Sequence, residues 1–168
     1  CVMGVSAQKK TLKSAQKALN KGEYDSAIEL AMAASQHAET KENPDVYTIM
    51  GAAKMHKFND GGRINLAMAK ESIDHYMMSI AKGDSKNEED IREEVVLNPD
   101  TNERLAGGKY MHYLEVMILS EANAHFDQEN FDKAYDYYAM ASDMNPNITY
   151  AFYAGYCAQQ MDKPDNAV

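Results

Sequence analysis

The chain has no tryptophan, only two cysteines, at positions 1 and 157, and only four prolines, at 44, 99, 146 and 164. If Cys1 is lost by processing, a single thiol remains, which is no disulfide framework, and no CxxC pair exists to hold zinc or carry redox chemistry. So few prolines leave the intervening stretches free to be helical. Positive charge is scarce as well: 17 Lys and Arg stand against 26 Asp and Glu, for a formal net charge of -9. An acidic chain has no general attraction to phosphate backbones or anionic lipid, which argues against nucleic acid and membrane surfaces as partners. No stretch approaches the roughly 18 consecutive apolar residues of a membrane span.

What is present is a chain able to fold. Of 168 residues, 45% are hydrophobic, with 12 Met and 11 Tyr. The clearest pattern is NFDKAYDYYAMASDMNP, residues 130–146. Phe131, Ala134, Tyr135, Tyr138 and Ala141 recur at three- and four-residue steps, which places them on one buried helix face. Asn145-Pro146 ends the pattern, because the residue before proline is pushed out of the helical region. YLEVMILSEANAHFDQ, residues 113–128, is a second helical pattern just upstream, so the short joint Gln128-Glu129-Asn130 predicts a helical hairpin. KGEYDSAIELAMAAS, residues 21–35, carries Gly22, Tyr24, Ala27, Ile28, Ala31 and Ala34 at matching offsets. Gly22 is the expected left-handed helix stop, and Ala27 and Ala34 are small where two helices cross.

These residues resemble the tetratricopeptide repeat (TPR) family, whose unit is a helix-turn-helix of about 34 residues. Tyr24 and Phe131 match the aromatic that opens the family's second helix. Ala27-Ile28 and Ala134-Tyr135 match its Ala-plus-apolar pair, Ala34 and Ala141 its closing Ala, and Pro146 its final proline. Tyr47, Met50 and Gly51 match the first-helix signature of another unit, with Ser72, Ile73, Tyr76, Ser79 and Ile80 as its second helix and KFNDGGRIN as an enlarged turn. Gly155 and Ala167-Val168 match a further unit. The resemblance implies an all-α fold of antiparallel helical hairpins stacked as a short right-handed TPR solenoid. The array is irregular in the middle: Ala27, Ser72 and Ala134 stand 45 and 62 residues apart. The implied organisation is an N-terminal extension (1–7), repeat 1 (8–42), repeat 2 (43–82), an acidic insertion (83–108), repeat 3 (109–146) and the start of repeat 4 (147–168). The insertion reads as a short helix around EEDIREEVV and otherwise a surface loop. Val168 falls near the start of a second helix, so a fragment of a longer protein is expected, with a natural frayed end as the alternative.

Residues 1–7 are not needed by the first repeat, whose helix is expected to begin near Gln8. Val5-Ser6-Ala7 has the small-residue pattern of a signal-peptidase site. The expectation is export to the periplasm or cell envelope of a bacterium. The alternatives are a lipoprotein anchored through Cys1, or a cytoplasmic protein with an N-terminal extension. Myristoylation at Gly4 fits poorly, since Gln8 stands where that motif wants Ser or Thr.

Catalytic and metal chemistry find little support. His112 with Glu115, and Glu121 with His125, have helix-face spacing. Zinc needs three or four converging ligands, and there is no HExxH or Cys/His cluster, so no metal and no cofactor are expected. Cys157 lies in an Ala- and Tyr-rich helix, where a buried thiol is inert. GxSxG, a phosphate-binding Gly-rich loop and EF-hand spacing are all missing. The chain is therefore expected not to be an enzyme, with no catalytic residues.

The resemblance implies a protein or peptide partner bound in a concave groove lined by the first helices. The positions carried over are Leu12, Gln16, Leu19 and Asn20, then Thr48, Ala52, Met55 and His56, then Leu119, Asn123, Phe126 and Asp127. The surface is apolar and amide-bearing, without the cationic clamp that chaperone-binding members use on C-terminal carboxylates. The leading expectation is a non-enzymatic interaction scaffold. The alternative is a regulatory or docking domain of a longer envelope enzyme or sensor. Self-association through an uncapped last repeat is a further expectation.

Overall fold

The computed structural model describes residues 3–93, 95–97, 104–107 and 110–161. Eight helices and a two-stranded ribbon follow in order: α1 (Met3–Asn20), α2 (Tyr24–Ser35), α3 (Pro44–Asp60), α4 (Leu66–Lys82), α5 (Ser85–Arg92), β1 (Val95–Leu97), β2 (Arg104–Gly107), α6 (Met111–Asp127), α7 (Phe131–Met144) and α8 (Ile148–Met161). Among the described residues the regular structure is helical apart from the ribbon. The chain forms two compact units, Cys1–Tyr113 and Leu114–Val168.

Three helices end in one and the same way. After α1, Glu23 N–H donates to Ala18 C=O (3.0 Å) and Gly22 N–H to Leu19 C=O (3.0 Å). After α3, Arg63 N–H donates to Phe58 C=O (2.9 Å) and Gly62 N–H to Asn59 C=O (3.1 Å). After α6, Asn130 N–H donates to His125 C=O (2.9 Å) and Glu129 N–H to Phe126 C=O (3.0 Å). This is the Schellman pattern, which needs a left-handed residue at its pivot. Gly22 (φ 76°), Gly62 (φ 73°) and Glu129 (φ 58°) supply it. Gly22, Tyr24, Ala27 and Ala34 match Glu129, Phe131, Ala134 and Ala141 at a constant offset of 107 residues.

In the first unit, α1 and α2 form one hairpin, and α3 packs against both of its helices. Ala15, Ala18, Ala27, Ala31 and Ala34 are buried together with Val46, Ile49, Met50 and Ala53 of α3. The small side chains let the helix backbones approach. Asn43 caps α3 through its Oδ1, which accepts from Asp45 N–H at 2.9 Å, and Pro44 occupies the first turn, where its missing N–H costs nothing. α3 and α4 run antiparallel and are joined by serines. Ser72 Oγ donates to Gly51 C=O (2.7 Å), Ser79 Oγ donates to Pro44 C=O (3.0 Å), and the Thr48 and Ser79 hydroxyls are 2.7 Å apart. Tyr76 is fully buried, and its hydroxyl donates to Met55 Sδ at 3.6 Å. Lys54 pairs with Glu71, Lys57 with Asp25, and Lys82 with Glu42 (2.6 Å).

Three expectations need correction here. The α3–α4 turn is not the whole of KFNDGGRIN: Lys57–Asp60 is the last turn of α3, and the chain leaves the helix only at Gly61-Gly62. The helical stretch of the insertion begins earlier and stops sooner than EEDIREEVV. It spans Ser85–Arg92, with Asp84 Oδ1 capping Asn87 N–H at 2.9 Å and Ile91 buried. Val95 and Val96, β-branched, belong instead to a strand paired antiparallel with β2, Val95 opposite Gly107 and Val96 opposite Ala106. α1 begins at Met3, not near Gln8. Ala167-Val168 lie outside the described residues, as does Cys1.

In the second unit, α6 and α7 pair through Asn123 with Tyr138 and through the rings of His125 with Tyr137 and Phe126 with Tyr138, and α8 packs on α7. Ala122, Ala134 and Ala141 are buried where the helices meet. Asn145 N–H donates to Ala141 C=O (3.0 Å) as α7 ends before Pro146. The buried Glu115 carboxylate accepts from Asn145 Nδ2 (3.1 Å) and Tyr150 Oη (3.0 Å), which ties the α7–α8 turn to α6. No described helix is long and apolar enough to cross a membrane.

Candidate partner-binding surface

In the first unit a cavity of about 360 Å³ opens between α1 and the N-terminal half of α3. It is lined by Leu12, Lys13, Gln16, Asn43, Asp45 and Ile49. Leu12 and Ile49 form its apolar floor, because both turn inward toward the small-residue core. Gln16 is exposed and donates from Nε2 to Asn20 Oδ1 at 2.9 Å, so two amides one helical turn apart face solvent. Among the described residues that line it, Lys13 and Asp45 put one charge of each sign at the edge. The arrangement suits an apolar side chain flanked by peptide groups that amides can hydrogen-bond.

The carried-over positions fall into different situations. Leu12 and Gln16 line the cavity, and Asn20 and the half-buried Leu19 continue along α1. Thr48 already bonds to Ser79 Oγ and Pro44 C=O. Ala52 and Met55 are 2% and 1% exposed, so neither presents a surface to a partner. His56 stacks face to face on Tyr24, ring centroids 4.9 Å apart. In the second unit, Asn123 Oδ1 accepts the Tyr138 hydroxyl at 2.6 Å, Leu119 is half-buried and Asp127 is exposed. Burial pushes the Tyr138 phenol up to about 12, so that hydroxyl stays a donor. Phe126 sits among four rings: Phe131 at 5.8 Å, Tyr138 at 6.2 Å, Tyr153 at 5.4 Å and Tyr156 at 5.6 Å.

Lys13, Asn43, Asp45 and Ile49 are cavity residues that sequence reasoning missed. The Asn43-Pro44-Asp45 start of α3 was a readable capping signal, and it puts these side chains beside α1.

The histidine and glutamate pairs of α6 do not converge. At 100° per residue, His112 and Glu115 lie on one side of the helix and Glu121 and His125 on the other. Glu115 is held by Asn145 and Tyr150, and His125 stacks against Tyr137 with centroids 5.6 Å apart. Among the described residues no three His, Cys, Asp or Glu side chains cluster as metal ligands would. Cys157 is buried, and burial raises its thiol above the usual value. No protein-family model matches the chain, and comparison with curated proteins gives no significant match.

Proposed function

We propose that the chain is a non-enzymatic interaction scaffold of the TPR kind, exported to the cell envelope, which binds an extended peptide of a partner protein along α1 and α3. The observation that carries this reading is the cavity between Leu12, Gln16 and Ile49, with an exposed amide pair beside it. The recurrent Schellman turn after α1, α3 and α6 supports a repeat origin for the hairpins. The bound segment inserts an aliphatic or aromatic side chain between Leu12 and Ile49, and Gln16 and Asn20 hold its backbone.

The test is selection of peptides from a random displayed library on the full chain, followed by titration into variants. Peptides with one apolar anchor are expected. Leu12→Arg, which fills the cavity with charge, is expected to weaken them at least about tenfold, the scale of an interface hot spot. Binding that survives both Leu12→Arg and Gln16→Ala contradicts the reading. Peptides ending in the acidic tail of a cytosolic chaperone are expected not to bind, because Lys13 is the one cation among the described residues lining the cavity.

A further inference from the structure

The negative charge is unevenly divided. Residues 114–168 contain nine Asp and Glu but two Lys, so the second unit holds -7 of the chain's -9. Asp127, Glu129 and Asp132 gather at the α6–α7 turn and make no ion pair among the described residues. The ring of Phe131, inside that same turn, packs edge-on against Tyr156 of α8 at 6.2 Å. The acidic turn therefore adjoins α8 where Tyr156 emerges.

α8 itself, ITYAFYAGYCAQQM, has no charged residue. Ala154 and Cys157 are buried. Elsewhere on the helix Ile148 is 88% exposed, Phe152 65% and Tyr156 39%. These three recur every four residues and form a stripe about 12 Å long. Beside them a Cβ on Gly155 would meet nothing within 4 Å. A helix apolar on both faces is made to be covered on both.

We infer that this face of α8 docks a cationic amphipathic segment of a partner protein. Its apolar side chains cover Ile148 and Phe152. Its Lys or Arg side chains lie over the Tyr156 ring and reach Asp127, Glu129 and Asp132. Cation-on-ring contact already occurs in the molecule, where Lys82 Nζ stands 5.3 Å from the Tyr47 ring centre. A second copy of the chain is the poorer occupant, because it brings the same surplus of carboxylates to the contact. This surface shares no residue with the α1–α3 cavity, and the inference stands or falls without it.

The experiment is selection of random displayed peptides on the full chain, counter-selected on Ile148→Ser/Phe152→Ser. Both side chains are exposed, so this variant keeps its fold; an unchanged circular dichroism spectrum and unfolding midpoint verify that. Peptides depleted by the counter-selection are expected to be net positive with spaced apolar residues. Their affinity is expected to fall at least about tenfold in the serine variant and to weaken in Asp127→Asn/Glu129→Gln/Asp132→Asn and with added salt. Depleted peptides that are neutral or acidic overturn the inference, and so does a library yielding none that depend on Ile148 and Phe152. Sedimentation showing that the chain dimerises through these two side chains overturns it too. Leu12→Arg leaves these peptides bound, which separates failure here from failure of the cavity reading.

Discussion

The ring of Tyr76 lies flat against the backbone of Gly51: a Cβ at position 51 would stand 2.7 Å from two of its ring carbons. α4 can approach α3 this closely only because residue 51 has no side chain and Ser72 bonds to its carbonyl. Gly51→Ala is therefore expected to destabilise the protein by about 1–3 kcal/mol through overpacking, although alanine is the better helix former. Tyr76→Phe keeps the ring and loses the hydroxyl's contacts to Met55 sulfur and Ser72, so it is expected to cost less. Urea unfolding of both variants checks the order.

The turn after α6 repeats the turn after α1 with glutamate in place of glycine. Glu129 holds φ 58°, a conformation that costs a residue with a Cβ roughly 1 kcal/mol. Glu129→Gly is expected to stabilise the protein by about that amount, and Gly22→Ala to destabilise it similarly. Thermal unfolding of the two variants should move in opposite directions.

Much of this architecture was readable in the sequence, and the reasons are local. Gly22, the Ala27 and Ala34 pair, and Asn145-Pro146 act through their own backbone geometry or fixed helical spacing, and each sits where that logic placed it. The insertion was harder. Glu88 to Val96 reads as one helical run, but pairing with Arg104–Gly107 claims Val95 and Val96, and a partner so far along the chain leaves no local trace. Met55 was misleading for a related reason. Carry-over from repeats assumes that each first helix keeps one open face. α3 is packed by α1, α2 and α4 and buries residues around most of its circumference, from Val46 to Phe58.

Met55 therefore offers a stability test rather than a binding test. Met55→Ala is expected to cost about 2–5 kcal/mol, as for a buried methionine cut to alanine. Leu12→Ala, at a half-buried cavity wall, is expected to cost less and to affect binding more. Chemical unfolding and peptide titration of the same two variants check this.

His75 gives a pH signature. Burial, its largest influence, lowers its value below the usual one despite its contact with the Glu71 carbonyl. The unfolded chain then takes up a proton at a higher pH than the folded one. Stability is complete above the ordinary histidine value of about 6.5 and is lost as pH falls from there toward the depressed folded value. His75→Gln is expected to flatten the unfolding midpoint across that window. Glu71 and Glu42 are lowered by hydrogen bonds from Lys54 and Lys82, so their contributions disappear only as pH falls through the carboxylate range.

The most direct test of the scaffold reading is site-specific photo-cross-linking in the protein's native cell. A photoreactive amino acid replaces Leu12 at the cavity in one chain, and the exposed Met32 of α2 in another. The account predicts one discrete protein adduct from position 12, absent from position 32 and lost when Gln16→Ala is added. Equal adducts from both positions, or none from position 12, would contradict it.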